Sequence, residues 1–176
     1  MTLWCLSLVW LPLATRAAEP TYVGARACAA CHSSDKIGDQ YSIWLHSRHA
    51  GAYKLLARPE APKIAELRGI HEDPREAPAC LKCHSTGVGD VPKAATFRRE
   101  DGVQCEACHG PGSEYMTEAI MSDPEAARAA GLAEVGAETC ERCHDEAVHG
   151  GDVPFETRMQ KITHPIPPPV GDDEKR

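Results

Sequence analysis

The pattern of hydrophobic residues divides the chain into an apolar leader and a longer, mostly polar remainder. Residues 3–13 are dominated by Leu, Val and Trp, and small residues follow as far as Ala18. An apolar stretch of this length that ends in small residues is typical of a secretory signal peptide. We therefore expect residues 1–18 to be a signal peptide, with cleavage after Ala17 or Ala18. The sequence has no apolar run of 18 residues or more, so we expect no membrane span in the mature chain.

Further along, apolar positions recur with helical spacing in several stretches. Between residues 35 and 57 they recur on one helical face, which predicts the longest helix of the chain. Its face positions are Tyr41, Leu45, His49, Ala52 and Leu56. Shorter helices are predicted at 61–68, 112–121, 124–130 and 154–163, the third of them capped by Asp123 and started by Pro124. Residues 86–104 are rich in Gly and Pro and are expected to form a loop with a small hairpin.

The composition changes this picture because the supply of core residues is thin. Only 5% of the 176 residues are aromatic, and two of them are Phe. We expect one domain over residues 19–164, with a core that is filled by something other than side chains. Residues 165–176 are rich in Pro and then charged, and we expect an extended or disordered tail there.

The cysteines indicate which group fills the core. Eight of the nine form four C-x-x-C pairs, and each pair is followed at once by histidine. The pairs are Cys28/Cys31, Cys80/Cys83, Cys105/Cys108 and Cys140/Cys143, and the histidines are His32, His84, His109 and His144. C-x-x-C-H is the attachment signature of c-type haem. Its spacing puts both thiols on one side of a turn, where each forms a thioether, and the histidine then binds the iron.

Other uses of cysteine pairs do not explain the histidines. Two C-x-x-C pairs can hold a structural zinc ion, and disulfides are common outside the cytoplasm. Neither requires histidine after every second cysteine. We therefore expect four covalently bound haem c groups, with roughly 40 residues for each. The expected fold is a mainly α, small multihaem cytochrome with short helices, many loops and the haems as its core.

In their order, the motifs resemble those of the cytochrome c-554 family, over roughly residues 22–165. The resemblance is carried by residues 28–32, 44–49, 80–87, 102–112 and 140–144. It implies an α-rich fold with closely packed haem pairs and a role in carrying electrons between periplasmic redox enzymes. Some relatives of this size assemble into extracellular haem filaments, in which a neighbouring subunit supplies an axial histidine.

The second axial ligand of each iron must come from the remaining residues. His49 lies on the apolar face of the predicted long helix, and His164 ends the last predicted helix. By resemblance, His49 would cap the third haem opposite His109, and His164 would cap the fourth opposite His144.

The second axial ligands of the first two haems are harder to assign from the sequence. Where the family has a distal histidine for the first haem, this chain has Ala119, Ile120 and Met121. Met121 is therefore the candidate ligand, unless it serves only in packing. The resemblance implies that the second haem can be five-coordinate, and His71 and His46 are the candidates to close it. His149 lies between polar and glycine residues, and we expect it to be exposed.

The charge and the motifs together limit the function. A formal net charge of −7 argues against nucleic acid, which calls for a basic surface. We expect an exported electron carrier of the periplasm or cell surface, rather than an enzyme, with redox proteins as partners. A small reductase with one open haem, acting on a nitrogen or sulfur oxide or oxyanion, is the alternative, and a haem-filament subunit is another.

Overall fold

The described part of the chain is built from short helices joined by loops. A computed structural model describes residues 19–144 and 155–165. The α-helices of this part are α1 (Ala25–His32), α2 (Gln40–Leu45), α3 (Ala52–Leu55), α4 (Ala61–Leu67), α5 (Pro78–His84), α6 (Glu106–His109), α7 (Glu118–Met121), α8 (Pro124–Ala129), α9 (Ala137–Glu141) and α10 (Phe155–Ile162). Among these residues the β-structure is a single parallel bridge between Tyr22 and Lys93. The expected mainly α fold is therefore confirmed.

Three expectations fall outside the described residues. They are the signal peptide at residues 1–18, the exposure of His149 and the tail beyond residue 165. Within the described ranges, every helix is too short or too polar to serve as a membrane span.

The prediction of one long helix over residues 35–57 is wrong. The stretch divides into a 3-10 turn (Asp35–Ile37), α2 and α3. Gly38 and Asp39 break the helix because both adopt left-handed backbone conformations, with φ of 102° and 42°. Residues 46–51 form turns between α2 and α3, so His49 lies in a turn rather than on a helical face.

The predictions that rested on local end signals are confirmed. The Asp123 carboxylate accepts hydrogen bonds from the backbone N–H groups of Glu125 at 2.9 Å and Ala126 at 3.1 Å, which starts α8. Gly69, with φ of 69°, follows the end of α4. The predicted helix at 112–121 is instead a 3-10 turn (Gly112–Glu114) followed by α7. Residues 86–104 form the predicted loop, but its bridge pairs Lys93 with Tyr22 and not with a second strand of a hairpin.

The core of the described residues is small and partly polar. Six of its eleven buried hydrophobic residues are alanine, and the largest fully buried side chains are Gln104 and Glu106. One apolar cluster joins Ala25, Trp44 and Ala50. A chain of this length that buries so little apolar volume needs another group to fill its interior.

Glu106 is the main polar anchor of this core. Its carboxylate accepts hydrogen bonds from the backbone N–H groups of Val23 (2.8 Å), Gly24 (2.7 Å) and Gly112 (2.7 Å). Gln104 adds an acceptor for the N–H of Ala25 at 2.8 Å. The start of α1 is thereby fixed to the segment that carries the third C-x-x-C-H motif.

Glu106→Gln should destabilise the protein. An amide offers one oxygen where the carboxylate offers two, so at least one buried N–H loses its acceptor, at a cost of about 2 kcal/mol. Glu118→Gln is the matched control because Glu118 is exposed on α7. The measurement is denaturant unfolding of the intact protein. Equal midpoints for the two variants would show that Glu106 does not anchor the fold.

Candidate haem sites

Each C-x-x-C-H motif lies on a helical turn. The first two motifs end α1 and α5, the third spans α6, and the fourth begins in α9 and runs just past its end. Residues three apart on a helix are neighbours on its surface, so both thiols of a pair lie on one side. None of the eight described cysteines forms a disulfide. The arrangement provides two free thiols and an adjacent imidazole four times over, which is the donor set that haem c requires.

Cys31 differs in its exposure from the other described cysteines. It is exposed, whereas the other seven described cysteines are partly buried. The reason is the direction of α1, which buries Ala25 at its start but runs outward, so that Ala30, Cys31 and Ser33 at its end are exposed. The thioether of Cys31 to the first haem stays a prediction.

The rings of His32, His84 and His109 are oriented by hydrogen bonds. His32 Nδ1 lies 3.1 Å from the side-chain oxygen of Gln40, and His84 Nδ1 lies 2.9 Å from the carbonyl oxygen of Ala52. The ring of His109 hydrogen-bonds the backbone of Ala133. A ring that donates its Nδ1–H to an acceptor keeps Nε2 unprotonated and directed at a metal. These histidines therefore fit the proximal position.

Two of the remaining histidines face motif histidines at a distance that suits one iron between them. The ring centroids of His49 and His144 are 6.1 Å apart, and those of His109 and His164 are 6.0 Å apart. With metal–nitrogen bonds of about 2 Å, two imidazoles on opposite sides of one ion have centroids about 6 Å apart. Nδ1 of His164 is buried without a hydrogen-bond partner, which is consistent with a ring positioned for a group other than protein.

Burial also favours the neutral form of two of these rings. It lowers the pKa of His49, and the neighbouring His144 lowers it further. Burial likewise lowers the pKa of His109, followed by the effect of His164. Neutral imidazole is the form that binds iron.

The structure exchanges the partners that the resemblance implied. His49 faces His144 and not His109, and His164 faces His109 and not His144. The cause is the position of the last helix, which returns to the break before α2, where the carbonyl oxygen of Pro165 accepts a hydrogen bond from Gln40 at 2.9 Å. That contact carries His164 to the side of the molecule that holds the first and third motifs.

The other candidate ligands lie in different settings. Met121 is half-buried at the end of α7, and its role as a ligand of the first haem stays a prediction. Nδ1 of His46 lies 2.7 Å from the carbonyl oxygen of Ser42, on an exposed ring.

His71 lies beside the second motif. It lines an open cavity of about 430 Å³ together with Leu56, Arg58, Glu72 and Arg75. Burial raises the pKa of Cys80, and the nearby charge of Glu72 raises it further, which places the cavity close to the second attachment site. The structure thus favours His71 over His46 as the residue next to the second haem.

Thiols from different motifs also come together. The Cys28 thiol hydrogen-bonds that of Cys105, which raises the pKa of Cys28 and lowers that of Cys105. Burial raises the pKa of Cys143 to about 12, and a charge interaction and a hydrogen bond with Cys83 add to this. The first attachment site therefore adjoins the third, and the second adjoins the fourth.

Sequence reasoning missed three polar residues of these sites, which are Gln40, Gln104 and Glu106. Glu106 had a visible signal, since it is an acidic residue inside a C-x-x-C motif. Gln40 had none, because its partners His32 and Pro165 lie on separate segments.

Comparison with known proteins agrees with this geometry. Residues 27–110 match the family model described as cytochrome c554 and c-prime. Cytochrome c-554 of Nitrosomonas europaea is 30% identical over 109 residues, which cover 56% of this chain and 42% of that protein. The chain thus spans about two fifths of the length of this curated relative, and no solved structure matches it. Residues 27–110 of this chain are therefore similar to the cytochrome c554 and c-prime family.

Proposed function

We propose that this protein is an exported tetrahaem cytochrome that carries electrons between redox proteins of the periplasm or cell surface. Bound haem iron supplies one-electron redox chemistry. Residues 1–18 would be removed on export, residues 19–164 would form the tetrahaem domain, and residues 165–176 would form a tail.

The observation that carries this proposal is the pair of facing imidazoles. His49 with His144, and His109 with His164, stand about 6 Å apart between ring centroids. Residues that hold an iron from both sides leave it no free position for a substrate, and such sites suit electron transfer.

The contacts between motifs support the same role. Cys28 lies against Cys105, and Cys83 lies against Cys143. Cys108 and Cys140 are close enough for the charge of one to raise the pKa of the other. These contacts join the attachment sites in the order first, third, fourth and second. A continuous series of sites is what a carrier needs, whereas a single-site enzyme does not.

The exposed end of the first site suits a carrier as well. A thioether at Cys31, which is exposed, would bring one edge of the first haem to the surface, where a redox partner can approach it. The first site is also one end of the series of attachment sites, so electrons would enter or leave there.

One observation favours the reductase alternative. The open cavity beside Cys80 gathers Arg58, His71 and Arg75, which include groups able to bind an anion or donate a proton. Arg75 is already engaged by Asp73, with its Nε 3.0 Å from that carboxylate. The choice between the two functions therefore depends on whether His71 closes the second iron.

The intact mass should equal the chain from Ala18 or Glu19 plus four haem groups. The reason is that the eight cysteines after the leader all belong to complete motifs. Mass spectrometry under denaturing conditions measures this, because thioether bonds survive unfolding. Fewer than four haems, or stoichiometric zinc, would refute the tetrahaem assignment.

His49→Ala and His164→Ala should each convert one haem of the ferric protein from low spin to high spin, because each removes a sixth ligand. Gln160→Ala is the control, since Gln160 is exposed on α10 and is no candidate ligand. Electron paramagnetic resonance of the purified proteins gives the high-spin fraction. An unchanged spectrum for either variant would remove that residue from the ligand set.

His71→Ala should open one haem to carbon monoxide if His71 closes the second iron. The wild-type ferrous protein should then bind no carbon monoxide, and the variant should bind one equivalent. If the wild type already binds one equivalent and reduces hydroxylamine or nitrite, the reductase alternative is correct. A titration followed by absorbance distinguishes the two results.

A further inference from the structure

We infer that Gln40 is a positioning residue for two haem sites at once. Its side chain orients His32, the proximal ligand of the first haem, and holds the segment that presents His164 to the third. This inference rests on the proposed function, since it requires His32 and His164 to be ligands. It adds a residue that lies in no motif and is itself no ligand.

The hydrogen bonds of Gln40 fix its orientation. Its amide nitrogen contacts the carbonyl oxygens of Pro165, at 2.9 Å, and Ile37. Carbonyl oxygens only accept hydrogen bonds, so the amide nitrogen must face them as the donor. The amide oxygen then faces His32 Nδ1 at 3.1 Å, and because that oxygen only accepts, His32 must carry its proton on Nδ1. Nε2 of His32 is left unprotonated for iron.

The burial of Gln40 makes this arrangement costly to change. Gln40 is 9% exposed. Its side-chain oxygen and both amide hydrogens have protein partners. A buried amide that turned over would place its nitrogen against a donor and its oxygen against two acceptors. The proton position on His32 is therefore determined by the two backbone carbonyls on the other side of the amide.

Gly38 allows the close approach of Pro165 to Gln40. A side chain at this position would place its Cβ 2.9 Å from Cβ of Pro165 and 3.1 Å from the Pro165 carbonyl oxygen, and its φ is 102°. The close approach of the Pro165 segment therefore requires glycine. The residue before Pro165 is His164, whose ring faces His109 at 6.0 Å.

The two haem sites are thus connected through one amide. A hydrogen bond from a ligating imidazole to its acceptor raises the basicity of the ligand, so Gln40 affects how strongly the His32 site favours ferric iron. The bond to Pro165 joins residues 125 positions apart. Loss of that bond should loosen His164 without touching either ring of the His109–His164 pair.

The test compares Gln40→Glu with Gln40→Met. A carboxylate accepts the His32 proton more strongly than an amide, whereas a thioether accepts it hardly at all. The reduction potential of the first haem should therefore fall in Gln40→Glu and rise in Gln40→Met. Both variants lose the donors to Pro165, so carbon monoxide should bind the haem of the His109–His164 pair roughly tenfold faster in both.

Gln160→Met is the matched control, because Gln160 is exposed on α10. It should change neither the potentials nor carbon monoxide binding. The redox component of the first haem is the one missing from a Cys28→Ala/Cys31→Ala variant.

Gly38→Ala disturbs the contact with Pro165 without changing the Gln40 side chain. Its Cβ would lie 2.9 Å from Cβ of Pro165 and 3.0 Å from the amide nitrogen of Gln40, so carbon monoxide binding should again become faster. If carbon monoxide binding is unchanged in all three variants, the role at Pro165 is refuted.

Equal or absent potential shifts in the two Gln40 variants would refute the role at His32, because a merely structural residue would not shift the potential in opposite directions. If these variants fail to incorporate haem, the wild type still decides the point. Nuclear magnetic resonance of protein labelled with ¹⁵N-histidine should show a slowly exchanging Nδ1–H for His32, and fast exchange would overturn the inference. If His164→Ala leaves the ferric spectrum unchanged, the proposed ligand set fails, whatever the Gln40 variants show.

Discussion

Three backbone N–H groups that converge on the carboxylate of Glu106 are the interaction on which the described structure depends. A buried carboxylate is tolerated only when hydrogen bonds replace its lost water, and Val23, Gly24 and Gly112 supply them here. Since Glu106 lies within the third motif and Val23 and Gly24 precede the first, this one side chain brings two attachment sites together. The contact between the thiols of Cys28 and Cys105 follows from it.

The small apolar core gives this anchor its importance. Most of the buried hydrophobic residues among those described are alanines, which contribute little apolar area to folding. Polar contacts therefore determine where the segments lie, and Gln104, Glu106 and Gln40 each bind backbone from a distant part of the chain. In the proposed holoprotein the interior is completed by the haems, whose iron ligands would add cross-links between segments, such as His49 with His144.

Features encoded by neighbouring residues could be predicted from the sequence. The C-x-x-C-H motifs form helical turns, Asp123 caps α8, and Gly69 follows the end of α4, because each depends on residues within one or two turns. The motif spacing does not reveal how deeply each turn is buried, so it gives no prediction of the exposure of Cys31.

Features that depend on distant contacts could not be predicted. The prediction of one long helix over residues 35–57 was wrong because apolar spacing does not reveal the left-handed backbone of Gly38 and Asp39. That backbone is favoured by the approach of Pro165, a contact across more than a hundred residues. The same contact places His164 beside His109, so the facing rings differ from the ligand pairs that the resemblance implied.

In the proposed holoprotein, facing imidazoles hold two of the four irons. Crystallography of the purified protein with anomalous diffraction at the iron absorption edge tests it most directly, since it locates each iron independently of the protein coordinates. We expect four iron peaks, one midway between His49 and His144 and one midway between His109 and His164. Irons that lie between His49 and His109, or between His144 and His164, would contradict the account.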